Sequence, residues 1–186
     1  LAYARHSQAA AEAAAGDVAR FIWESRERWQ VHLTSLEDAT AMAKAAGEGA
    51  RAALLFADCA DNPGGGGRGN TMYILRAFVA AGVQGCVVGI IFDPALAAEA
   101  HALGEGAAFR ARFNRDETQE FSEKFEAEAV VERLSDGAIV GRRGISAGRA
   151  IALGPTALLR IGGVQVVMVS QRRQLADPAM VEHLGI

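Results

Sequence analysis

Hydrophobic and polar positions recur with a helical period at the start of the chain. Over residues 3–29 strong helix formers dominate, and Val18, Phe21, Ile22 and Trp29 fall near one face, which predicts a long amphipathic helix. Ser35 followed by Asp38 has the pattern of a capping box and predicts a second helix to about residue 46, ended by Gly47 and Gly49. The apolar run over residues 52–57 predicts a strand. A glycine-rich loop follows, then a helix over residues 70–81, then the continuous apolar run Cys86-Val-Val-Gly-Ile-Ile-Phe92, after which Asp93-Pro94 opens a helix ending near Leu103-Gly104. Apolar runs separated by helices are the pattern of strands buried on both faces, joined by right-handed crossovers in a parallel sheet.

Beyond Ala107 the period changes. Phe121, Phe125, Ala127, Ala129 and Val131 alternate with polar residues as in a half-buried antiparallel strand, and Asp136-Gly137 reads as a hairpin turn. Residues 158–161 and 164–169, joined through Gly162-Gly163, predict a second hairpin, and Asp177-Pro178 opens a short last helix. The polar, Glu-rich segment 114–124 reads as a solvated loop. The predicted fold is therefore α/β: a parallel β-α-β core sheet flanked by helices and followed by antiparallel β-hairpins, in a single domain over residues 1–186.

The composition, 51% hydrophobic and 22% charged, is that of a globular domain with one core. A net charge of −3 gives no attraction to nucleic acid or to an anionic membrane, and the pairs Arg142-Arg143 and Arg172-Arg173 are too short for polyanion tracts. Cys59 and Cys86 form neither a C-x-x-C nor a disulfide framework, so a reducing, cytoplasmic location is expected. No run approaches the length of a membrane span. The chain starts at Leu1 inside a helical pattern and is expected to be a piece of a longer polypeptide.

The chemistry concentrates in residues 57–71, "ADCADNPGGGGRGNT". As a G-x-G-x-x-G, Gly64, Gly66 and Gly69 fit, with Asp93 after the next strand as the ribose-binding acid, but Asp58 and Asp61 would face a pyrophosphate with like charge. As a G-x-x-x-x-G-K-[ST], Gly64, Gly69 and Thr71 fit, but Asn70 replaces the lysine. What remains is a loop of glycine amides ahead of a helix N-terminus, at the carboxyl end of a strand, able to meet a carboxylate or an oxyanion. The candidate substrate- or anion-binding residues are Asp61, Asn62, Gly64, Gly65, Gly66, Gly67, Gly69, Asn70 and Thr71. Structural roles compete with binding: Asp61 and Asn62 suit Asx turns, and Asn70 or Thr71 suits a helix cap. Cys59 has no histidine near it in sequence, and His6, His32, His101 and His183 lack ligand spacing, so no metal site is expected from spacing, and only clustering in the fold could make one.

Residues Ala60-Asp-Asn-Pro-Gly-Gly-Gly66 with Gly69, Asp93-Pro94, Leu153-Gly-Pro-Thr-Ala157, Gly162-Gly-Val164 and the closing Leu184-Gly-Ile186 resemble, in order and spacing, the C-terminal domain of the MlrC (microcystinase C) type of metallopeptidase. The resemblance runs from about Ser35 onward, and D-N-P-G-G-G is its most specific element. It implies a two-part enzyme that hydrolyses amide bonds of small peptides. An N-terminal domain would carry the catalytic zinc on histidine and acidic ligands that have no counterparts here, so no cofactor is expected in this segment. It also implies that the loop faces the cleft shared by the two domains, its backbone amides holding the substrate. Gly67 and Arg68 depart from the family pattern and make the loop more basic.

Three readings follow: the non-catalytic C-terminal part of an MlrC-like zinc metallopeptidase, with the N-terminal catalytic domain and a small peptide as partners; a stand-alone module for a small anion or nucleotide; or a structural domain that forms a homodimer.

Overall fold

The computed structural model describes residues 1–49 and 53–186. They fall into two compact units, Leu1–Thr34 and Ser35–Ile186.

The first unit is one helix and a turn. Helix α1, Gln8–Glu24, starts later than the sequence pattern predicts because Ser7 caps it, accepting the Ala10 amide at 3.2 Å. It ends at Ser25, whose hydroxyl turns back to the Phe21 carbonyl while accepting the Trp29 indole N–H at 3.0 Å; a 3-10 turn, Arg26–Trp29, follows. None of the α1 side chains is buried.

The second unit is an α/β layer structure. Helix α2, Leu36–Gly47, opens on the predicted capping box, with Ser35 Oγ accepting the Asp38 amide at 3.0 Å and donating to its carboxylate at 2.8 Å. Helix α3 is Tyr73–Ala81 and helix α4 is Pro94–Leu103. Five strands form the main sheet: β1 (Cys86–Phe92), β2 (Ala108–Phe113), β3 (Phe125–Ser135), β6 (Thr156–Ile161) and β7 (Val164–Val169), in the order β1-β7-β6-β3-β2. Strands β4 (Ala138–Val140) and β5 (Ala150–Ala152) pair separately, and a short helix α5, Ala179–Glu182, closes the chain.

The parallel component is the single pair β1–β7, with Cys86 opposite Val164 and Phe92 opposite Val169; every other pairing in the main sheet is antiparallel. The α/β class holds, with one parallel pair and antiparallel hairpins among the described residues, but the parallel partner of β1 is not the segment ahead of the glycine loop. Of the predicted strand 52–57, Ala52 lies outside the described residues, and residues 53–57 form no strand. Their one packing residue, Phe56, instead meets Phe78 of α3 edge-on at 6.1 Å. The parallel partner of β1 comes from the second hairpin, which forms as predicted through Gly162-Gly163. Strand β3 begins at Phe125, leaving Phe121 66% exposed. Gly137 is a turn from β3 into β4, but β4 pairs with β5, so Asp136-Gly137 is not a hairpin turn.

Alternation along β6 and β7 sorts the core into two faces. Ala157, Leu159, Ile161, Val164, Val166 and Met168 pack with α2, α3 and α4. Leu158, Val167 and Val169 pack with Leu153, Met180 and Leu184 under the small hairpin and α5. Full burial of an aliphatic side chain such as Leu159 or Val166 contributes roughly 1.5–3 kcal/mol. No helix among the described residues is long and apolar enough to cross a membrane.

Candidate functional site

The glycine loop sits at the carboxyl end of β1. The Phe92 amide donates to Gly69 O at 2.7 Å and the Asp93 amide to Val169 O at 3.1 Å, so the loop and the ends of both parallel strands are tied at one edge.

Within the loop Asp61 and Asn62 act as organisers. Asp61 Oδ1 accepts the Gly69 amide at 2.7 Å and Oδ2 accepts the Thr71 amide at 2.8 Å, closing eight and ten residues of chain on one carboxylate. Asn62 forms the expected Asx turn, its Oδ1 accepting the amides of Gly64 at 2.9 Å and Gly65 at 3.2 Å, while its carbonyl accepts those of Gly65 and Gly67. Pro63 O takes the Gly66 amide at 3.3 Å, and Pro63–Gly65 forms a 3-10 turn ended by Gly66 at φ 103. A side chain at Gly66 would be strained there although nothing crowds it.

This bonding corrects the picture of outward-facing amides. Those of Gly64, Gly65, Gly66, Gly67, Gly69 and Thr71 are all taken up inside the loop. The anion in the cradle is the loop's own Asp61 carboxylate, so a phosphate would have to displace it against charge repulsion. The helix-cap reading of Asn70 and Thr71 is corrected too: α3 starts at Tyr73 behind Met72, with no side-chain cap.

Asn70 is instead fully buried at the centre of a polar network. Its Oδ1 accepts the Ser122 hydroxyl at 2.7 Å and its carbonyl accepts Asn114 Nδ2, also at 2.7 Å. Asn114, at φ 56 and 2% exposed, donates its own amide to Asp93 Oδ2 at 2.8 Å and its side chain to Glu123 O at 3.0 Å. The segment 114–124 is therefore bolted to the loop, where the sequence predicted a solvated stretch. No local motif marks Asn114 or Ser122; only the fold brings them there.

Asp93 caps α4, its Oδ1 accepting the Leu96 amide at 2.9 Å. Burial raises its pKa against the opposing pull of the Leu96 and Asn114 amides. With both oxygens engaged inside the protein it is not free to hold a ribose. Beside it, Phe92, Pro94, Ala95, Asn114, Asp116 and Glu117 line a cleft of about 230 Å³, at whose edge Arg68 of the loop pairs with Glu117.

The other side of the loop meets residues after β7 that the sequence pattern did not connect with it. Gln174 lies so close to Gly64 that a Cβ there would stand 2.1 Å from its Oε1, and Arg172 approaches the Gly67 carbonyl at 3.5 Å. Asp177, also buried, accepts the amides of Arg142 at 2.6 Å, Arg143 at 2.7 Å and Ala179 at 2.9 Å, and so ties the loop after β4 to the start of α5.

Cys59 is exposed. His101 bonds Thr156 O at 3.0 Å and His183 bonds Ala179 O at 3.1 Å, each in its own neighbourhood. Among the described residues no three of His, Cys, Asp and Glu come together as a metal-binding group. The donors among the described residues do not fit the zinc that the family resemblance implies, and no step of zinc chemistry is assigned to them.

A crystal structure described as "Putative metallopeptidase" from Mesorhizobium sp. BNC1 superposes with a TM-score of 0.78 over 96% of this chain at 24% identity. This chain spans 35% of that one, so the neighbour is much longer. Among curated proteins no sequence matches significantly. The family model for the MlrC C-terminus matches residues 56–186, a span that starts just ahead of the glycine loop and takes in every strand of both sheets. The chain belongs to the MlrC C-terminus family.

Proposed function

We propose that this chain is the C-terminal domain of a longer amide-hydrolysing metallopeptidase, lining its substrate cleft without carrying its metal. The observation that supports this best is the family match, which begins at residue 56 and includes the D-N-P-G-G-G loop. The loop is rigidly built, clasped by Asp61 and braced by buried Asn70 and Asn114, as a surface that shapes a cleft has to be. Zinc, in this reading, is held by residues outside this chain.

Residues Asp61 to Thr71 then act mainly through shape. Asp61, Asn62 and Asn70 hold the wall of the cleft, and Gly65 and Gly66, the loop glycines whose Cβ positions are uncrowded, let a peptide backbone come close. The nucleotide-module reading finds no support in the loop, whose amides are occupied. The homodimer reading has no observation in its favour.

The test is the full-length polypeptide. One tightly bound zinc per chain and hydrolysis of small peptides, both abolished by chelation and restored by zinc, are expected. A full-length protein that binds no metal and cleaves no amide would overturn the proposal, and micromolar ATP binding would favour the nucleotide module instead.

A further inference from the structure

The chain is acidic overall, yet from residue 137 to residue 176 it carries arginines at 142, 143, 149, 160, 172 and 173 and no Asp or Glu. Arg160 is neutralised by Glu132, and Arg142 by Glu182. Among the described residues, Arg143, Arg149, Arg172 and Arg173 are within ion-pair distance of no carboxylate, whereas Arg68, Arg76 and Arg115 each have at least one. All four are exposed.

Hydrogen bonds tie the segments that carry these four to one another and to the glycine loop. The Gly141 amide donates to Arg149 O at 2.9 Å, closing the loop between β4 and β5. Asp177 holds the Arg142 and Arg143 amides. Arg173 Nε donates to Ala152 O of β5 at 3.2 Å, and the head of Arg172 points to the Gly67 carbonyl. Residues 170–177 thus run between the glycine loop and the small hairpin, with arginines on both. Asp177 makes no ion pair with these heads, its oxygens being bonded to the backbone amides of Arg142, Arg143 and Ala179. Like charges on neighbouring segments repel, the more so the less salt screens them, and the repulsion is relieved when carboxylates arrive. A guanidinium that spends one N–H on a carbonyl keeps the planar fork that receives a carboxylate with two parallel bonds.

We propose that Arg143, Arg149, Arg172 and Arg173 form a binding face for the side-chain carboxylates of an acidic peptide, reaching from the β4–β5 loop to the glycine loop. That such a peptide is a substrate rests on the proposed peptidase function, and the arginines would give that substrate its charge. A polyanion such as nucleic acid is the poorer fit, because acidic side chains dominate β3, with Glu126, Glu128 and Glu132, and the arginine face is short.

The test uses the full-length polypeptide titrated by calorimetry with the tripeptides Glu-Glu-Glu and Gln-Gln-Gln, at low and at high salt. The acidic peptide is expected to bind at least about tenfold more tightly at low salt, with the preference largely lost at high salt. The double variants Arg172→Gln/Arg173→Gln and Arg143→Gln/Arg149→Gln should each reduce the preference while leaving the melting temperature and the affinity for Gln-Gln-Gln unchanged. Equal binding of the two peptides by the unmodified protein overturns the proposal, as does a preference that survives replacement of all four arginines. Failure here, with Gln-Gln-Gln still hydrolysed, leaves the peptidase reading standing. An arginine-dependent preference without hydrolysis of either peptide would support the binding face and sink the peptidase reading.

Discussion

Asp61 Oδ1 receives the Gly69 amide at 2.7 Å across eight residues of glycine-rich chain. Together with the Thr71 bond this makes one carboxylate the clasp of the loop. Asp61→Ala removes both acceptors and strands two amides. Hydrogen bonds to a charged group are worth roughly 1.5–3 kcal/mol each, so the loss should be on the order of 2–4 kcal/mol after partial rehydration. Because Asp61 organises the wall of the proposed cleft, peptide hydrolysis by the full-length protein should fall together with the urea midpoint. A variant that keeps its midpoint and loses activity would mean that Asp61 touches substrate directly.

Gly65 and Gly66 are neighbours with different constraints. Gly66 sits at φ 103, where a β-branched residue clashes with its own backbone, so Gly66→Val should cost about 1–2 kcal/mol although no neighbour crowds the site. A Cβ on Gly65 would meet nothing nearer than the Asn62 side chain at 3.7 Å, and Gly65→Ala should change stability by less than about 0.5 kcal/mol. Thermal unfolding of the two variants side by side checks the contrast; equal losses would refute the left-handed conformation at Gly66.

How much of this was legible in the sequence depends on how local its cause is. Ser35-x-x-Asp38 and Asp93-Pro94 announce their helices because capping is decided within four residues, and both caps are made as the pattern predicts. The hairpin at Gly162-Gly163 is equally local. The apolar run ahead of the glycine loop misleads because a strand also needs a partner: β7 fills the parallel place beside β1, and Phe56 finds its burial against α3 instead. The site shows the same division. Asn62's Asx turn is readable from Asn-Pro-Gly, whereas Asp61's reach to Thr71 and the embrace of Asn70 by Asn114 and Ser122 span up to 52 residues and leave no trace in spacing.

That embrace can be probed through Ser122. Its hydroxyl donates to Asn70 Oδ1 at 2.7 Å in a fully buried setting, so Ser122→Ala leaves a dry acceptor and should cost roughly 1–3 kcal/mol. Hydrogen exchange should quicken at the Gly69 and Thr71 amides before it does at β6 and β7. Uniform acceleration across the sheet would mean that the network does not brace the loop specifically.

Asp177 and Asp93 are both buried, but their pKa values move in opposite directions, which sets the sign of the acid response. Hydrogen bonds from the Arg143 and Ala179 amides hold the Asp177 carboxyl below its usual value, aided by the Arg142 amide and charge. Its stabilising contribution is therefore fully present above the unfolded value of about 3.9 and is lost as the pH falls from there through the lower folded value. Burial raises Asp93, so in the folded state it takes up a proton more readily than in the unfolded chain. Between about pH 3.9 and its raised value it adds stability as the pH falls, opposing Asp177 only above the window in which Asp177 acts. Asp177→Asn puts an amide NH₂ against backbone N–H donors, which lowers stability at neutral pH and removes the acid-labile contribution. Urea midpoints measured from neutral pH down to about pH 2 should therefore fall less steeply below about pH 4 in Asp177→Asn than in the unmodified protein. Parallel curves offset by a constant would show that the Asp177 carboxylate is not held ionised by the amides of the β4–β5 loop.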